Sequence, residues 1–123
     1  RAHRALDDDG VPAAHRRAWI VPGRIEVLGK HVDYAGGRSL LCAIDRGIVV
    51  VARRRDDAAV IVRDAIPGEA VTVLLHAEPT DGGPAWRAYV TTVVRRLVHN
   101  FGAAVHGCDI AIASNLPAAA GVS

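Results

Sequence analysis

Between residues 40 and 76 the chain alternates apolar runs with short polar breaks. LLCAIDRGIVVVARRR holds two apolar runs split at Asp45-Arg46-Gly47, which predicts two strands joined by a tight turn. AAVIVRDA, residues 58 to 65, and AVTVLLH, residues 70 to 76, are further strand-like runs, parted by a break at Pro67-Gly68. Such spacing predicts an antiparallel sheet. Upstream, Trp19 and Ile20 lead into VPGRIEVLG, a Pro-Gly punctuated approach to a short strand.

The period then changes. In PAWRAYVTTVVRRLVHNFG the apolar residues Trp86, Tyr89, Val90, Val93, Val94, Leu97, Val98 and Phe101 recur at helical spacing, with Arg and Thr mostly between them. Pro84 suits a first turn and Gly102 an end, so a helix is predicted whose apolar stripe covers one face of the sheet. CDIAIAS, residues 108 to 114, is one more strand. Residues 1 to 17 are polar and uneven, broken by Gly10 and Pro12, and read as a short helix or a frayed arm. The expected architecture is an α+β sandwich: an arm over 1–17 and one domain over 18–123.

Composition narrows this picture. Half of the 123 residues are apolar but only five are aromatic, so the core must be built from Ala, Val, Ile and Leu. Fourteen Arg and one Lys against thirteen acids leave a formal charge of +2, too mild and too evenly spread to argue for nucleic acid. No apolar run approaches a membrane span, and RAHRALDDDG is not a secretory signal. Cys42 and Cys108 lie in apolar runs and are expected as buried free thiols in a reducing compartment. The six His show no paired metal-ligand spacing, and Asp7, Asp8 and Asp9 read as a solvated acidic cluster. There is no Met, and the ending ASNLPAAAGVS stops where a strand should meet a loop; both ends are expected to be cut from a longer reading frame.

The candidate chemistry sits in GKHVDYAGG, residues 29 to 37, which holds the only Lys of the chain. At neutral pH Asp33 is an acceptor-only carboxylate, able to take hydrogen bonds from two hydroxyls. His31 can donate or accept, and the pair forms a polar rim suited to a polyol. Gly29, Gly36 and Gly37 read as backbone devices and Tyr34 as packing. A plainer reading makes Arg24 and Asp33 an ion pair that pins the loop, with His31 structural.

PGRIEVLGKHVDYAGGRSLLCAID resembles the N-terminal signature of galactokinases: a Gly-Arg pair, then Gly-x-His-x-Asp-Tyr and a further Gly. GCDIAIASNLPAAAGVS resembles the approach to their phosphate-binding loop, and the Trp-led helix falls at the matching place between. Residues 19 to 123 are thus similar, in order, to the galactokinase branch of the GHMP small-molecule kinases.

That resemblance implies the N-terminal domain of these kinases, a ribosomal-protein-like α+β fold with a mixed, mostly antiparallel sheet covered by helices, truncated at the phosphate loop. It implies a cytoplasmic enzyme using ATP and Mg²⁺ to phosphorylate a monosaccharide hydroxyl, with no nucleic-acid or membrane partner. Lys30, His31, Val32 and Asp33 are then the sugar-site residues. Arg24 is the cation beside the transferring phosphoryl group, where a permanent charge stabilises developing negative charge. Pro117, Ala118, Ala119, Ala120, Gly121, Val122 and Ser123 form the nucleotide loop, offering backbone N–H groups to phosphates. The family's catalytic Asp and Mg²⁺-binding Glu fall beyond Ser123, so the chain alone is expected to be inactive.

Two departures qualify this. Galactokinases have Glu where Lys30 stands, and Lys can only donate. Either Lys30 meets an anionic group of the substrate, or it pairs with Asp33 or a further acid and leaves the sugar to His31 and Asp33. Ala119 replaces a usual Gly. Another small-molecule substrate, a sugar sensor without turnover and an RNA-binding module on the same fold are the rival readings.

Overall fold

A computed structural model describes residues 1–8, 10–65, 69–77, 85–118 and 120–121. The elements, in chain order, are α1 (Ala2–Asp8), β1 (Arg17–Leu28), β2 (Leu40–Arg54), β3 (Ala59–Asp64), β4 (Ala70–Leu74), α2 (Arg87–Phe101) and β5 (Cys108–Ser114). The five strands make one sheet in the order β1-β2-β5-β3-β4. β3 runs antiparallel to β4 and parallel to β5, so the sheet is mixed.

The chain divides into two compact units: Arg1–Trp19 with Val50–Ala113, and Ile20–Val49 with Ser114–Ser123. The first holds the core. Val60 faces Val73 and Val62 faces Val71 across the β3–β4 ladder, and all four side chains are buried. Ile110 and Ile112 of β5 pack against them. Alternation puts these residues on one face, and α2 lays Val94 onto it, flanked by Trp86, Val90 and Val98.

On β3 and β5 the residues of opposite parity include Arg63, Asp109 and Ala111. Asp109 is only 2% exposed, yet its Oδ1 accepts from Arg55 Nη1 at 2.9 Å and Arg63 Nη1 at 3.2 Å. A buried carboxylate is tolerated because it is paired with two cations. α1 contacts β3 and buries Leu6 completely. The arm is anchored rather than frayed: Arg16 Nη1 donates to Asp7 Oδ1 at 2.8 Å and Nε to the Pro12 carbonyl at 3.1 Å. Asp7 of the expected solvated cluster is therefore paired, while Asp9 lies outside the described residues.

Three expectations are corrected. β2 is one strand of 15 residues with no turn at Asp45-Arg46-Gly47. Gly47 donates its N–H to Asn115 Oδ1 at 2.8 Å and accepts from Asn115 N at 3.2 Å, which holds it extended. It is Gly because a Cβ there would run into the Val21 carbonyl and lie 3.0 Å from Pro22 Cα. β1 is likewise no short strand; it runs 12 residues through Pro22-Gly23. β1 is a sheet edge, where a missing N–H breaks no ladder.

The cysteines differ too. Cys42 is exposed and Cys108 half-buried, both free, and burial raises the Cys108 thiol pKa. Pro84 and the Pro67-Gly68 break lie outside the described residues. Gly102 does end α2, with φ 51° and its N–H bonded to the Val98 carbonyl.

Candidate functional site

The second unit contains both stretches singled out above, although some 80 residues separate them in sequence: the 29–37 loop, and the segment that leaves β5 from residue 115. Arg24 stands on β1 with an exposed side chain, and the loop follows directly from the end of that strand.

Gly29 opens the loop at φ 88°. A Cβ there would strike the Arg38 carbonyl and come within 2.7 Å of Ser39 Cα, so the position needs Gly both for its dihedral and for its contact. Lys30 and His31 follow, both exposed. His31 is left-handed at φ 59°, an uncommon state for a residue with a Cβ. Val32 is half-buried, and its carbonyl accepts from Ala35 N at 3.1 Å and Gly37 N at 2.8 Å. Gly37 lies so close that a Cβ would be 2.7 Å from Val32 Cβ.

The backbone of Asp33 begins a 3₁₀ turn, Asp33–Ala35, and Tyr34 is 80% exposed rather than packed. The loop thus folds on itself around Val32 and turns Lys30 and His31 to solvent. Strain in such a loop persists only where the surroundings impose it, and it concentrates at binding sites. Among the described residues, neither Arg24 nor Lys30 makes an ion pair, so both charges stay available to an anion.

The other half begins where β5 ends. Ser114 Oγ accepts from Leu116 N at 3.1 Å, which turns the chain out of the strand. Pro117, Ala118, Ala120 and Gly121 are described, the last at φ 67°; Ala119, Val122 and Ser123 lie outside the described residues. Asn115 holds this exit to β2 through its two bonds with Gly47. Sequence reasoning read Asn115 only as a strand end and Gly47 as a turn. The Ser-Asn-Leu-Pro spacing marks a strand exit but carries no sign of the partner.

The galactokinase galactose-binding signature matches residues 10–54. A galactokinase of Glaesserella parasuis is 30% identical over 110 residues, which are 89% of this chain and 29% of that protein. This chain is a homologue of galactokinase over these residues. It spans about three tenths of the length of that relative.

Solved structures agree on the fold. The crystal structure of Lactococcus lactis galactokinase complexed with galactose superposes with a TM-score of 0.79 at 24% identity, over 98% of this chain and 31% of that one. Methanococcus jannaschii mevalonate kinase follows at 0.63 and 17% identity, over 90% and 36%. The expected GHMP-kinase N-terminal fold is therefore the observed one.

Proposed function

We propose that the complete protein transfers the γ-phosphoryl group of ATP to a hydroxyl of a monosaccharide, most simply the anomeric hydroxyl of galactose, in the cytoplasm. The observation that carries this is the presence of the galactokinase-signature loop and the β5 exit in one compact unit, tied by Gly47 and Asn115. A phosphoryl transfer needs an acceptor and a donor held at one place, and catalysis is then mainly positioning and charge stabilisation.

In this reading His31 and Asp33 orient the sugar hydroxyls beside Lys30, with Val32 anchoring the loop. Arg24 stabilises the charge that develops on the transferring group. The 117–123 segment takes the ATP phosphates on its backbone N–H groups. The positive φ of Gly121, on a chain leaving a strand, suits such a cradle. Among the described residues no group of three His, Cys, Asp or Glu stands together as a metal site. The group that accepts the hydroxyl proton is assigned to a carboxylate beyond residue 123. No described helix is long and apolar enough to cross a membrane.

Lys30 favours one variation, a sugar with an anionic substituent, because its ammonium is exposed and makes no ion pair among the described residues. The test has two parts. Galactose titrated into this chain should move the His31 ring signals in a saturable way. The complete protein should then form a sugar phosphate from ATP, seen by ³¹P NMR, with galactose and galacturonate compared before and after Lys30→Glu. Unmoved His31 signals with either sugar would remove the sugar-site reading. Binding without phosphate transfer would leave a sensor. A galacturonate preference that Lys30→Glu abolishes would identify the anionic substrate.

A further inference from the structure

We propose that the first unit carries an anion-binding cavity for a small phosphomonoester, built from residues outside both motifs and independent of the sugar-kinase reading. The cavity measures about 550 Å³ and lies among the arm, the end of β2 and the residues that lead into β5. That is in the size range of small-molecule sites, which run from about 300 to 1,000 Å³.

Its charge is one-sided. Arg17, Arg53 and Arg54 line it with His15 and His106, and no carboxylate is among the lining residues. Among the described residues these three arginines make no ion pair. Arg16 also reaches the cavity, but its guanidinium is spent on the arm, on Asp7 and the Pro12 carbonyl. Arg17, Arg53 and Arg54 thus place positive charge along one concave wall.

Arg53 adds an independent observation. Its Nε is shut off from solvent and has no hydrogen-bond partner. A buried N–H of a cation left without an acceptor is costly, and native proteins leave few of them. The arm also bends here through a left-handed His15 at φ 63°, one of two non-glycine residues with positive φ among the described residues, the other being His31. Such conformations cluster where a ligand is held.

The ligand class follows from the donors. A guanidinium presents paired N–H groups that match phosphate oxygens two at a time. A phosphomonoester offers three terminal oxygens and a charge of about −1.5 to −2 at neutral pH, whereas a carboxylate offers two oxygens and a single charge. Three arginines therefore fit the phosphate better. Trp19, 49% exposed, lines the same cavity and supplies an apolar wall for the organic part.

The experiment is a calorimetric titration of the chain with inorganic phosphate and with glucose 6-phosphate, at an ionic strength held constant with chloride, and with Trp fluorescence followed in parallel. Saturable one-to-one binding of both, tighter for the sugar phosphate, is expected. Arg53→Gln and Arg54→Gln should each weaken it by about tenfold or more, the loss of one charge-assisted hydrogen bond. Arg96→Gln, on the exposed side of α2, should leave it unchanged.

If a Gln variant loses its fold by circular dichroism, Arg53→Lys keeps the charge without the fork and should bind measurably but more weakly. Three results would overturn the site: no saturation beyond chloride, binding indifferent to Arg53→Gln in a folded protein, or equal affinity in Arg53→Lys.

Discussion

His31 and Asp57 show how single residues in this chain are held by their surroundings. His31 sits at φ 59° in a loop closed by Gly29, Val32 and Gly37. If its side chain serves a ligand, Gly should relieve the backbone and remove the function at once. His31→Gly should thus be neutral or stabilising by up to about 1 kcal/mol, while galactose affinity falls. A thermal melt beside a sugar titration checks both, and a structural histidine would instead lose stability with unchanged binding.

Asp57 is held by Arg55, whose Nε meets Oδ1 at 2.8 Å and whose Nη2 meets Oδ2 at 2.5 Å. Those bonds lower its pKa from 3.8 to about 2, helped by the Ala59 N–H. A depressed carboxyl contributes fully above its unfolded value and loses the contribution as pH falls through the folded one. The urea midpoint should therefore drop between about pH 4 and pH 2, and Asp57→Asn should flatten part of that slope. Arg55 is raised by the same bonds, so it stays charged throughout this range.

The apolar stripe of α2 is divided. Val94 is 7% exposed and packs with Val90 and Val98 on the β3–β4 face, while Tyr89, Val93 and Phe101 are 78%, 58% and 62% exposed. Val94→Ala should cost about 2 kcal/mol by emptying a core position, and Val93→Thr should stay within about 0.5 kcal/mol. Denaturant melts of the two variants decide whether the face read from β3 and β4 is the one that carries stability. Strands divide in the same way. β4 alternates, with Val71 and Val73 inward and Thr72 and Leu74 outward. β1 has Gly23 as its one buried residue.

Apolar side chains stay uncovered on a large part of the whole molecule. Ile20, Val21, Ile25, Val27 and Leu28 of β1, and Leu40 and Leu41 of β2, are all between 46% and 77% exposed. Clustered exposed apolar residues drive association. The chain should accordingly show concentration-dependent light scattering, and Ile20→Lys with Leu28→Lys should reduce it. A monomer that melts sharply and reversibly at high concentration would contradict this.

Strands over 59–64, 70–74 and 108–114, the helix over 87–101 and the signature at 29–37 were legible in the sequence, because alternation, helical periodicity and a Gly-bounded polar motif are local properties. The course of β1 and β2 was not. Pro22 and Gly47 carry the local chemistry of turns, and only the edge position of β1, the close approach of Val21 and the bonds from Asn115 make both extended. The sequence also could not say which half of the α2 stripe is buried, since that depends on the sheet beneath it.

The candidate site divides at the same boundary. Residue chemistry marked His31 and Asp33, and the resemblance to galactokinases added Arg24 and Lys30. The left-handed His31, the union of residues 29–37 and 115–121 in one unit, and the unpaired arginines beside the arm belong to the tertiary structure. They arise from pairing between segments far apart in the chain, which no local pattern encodes.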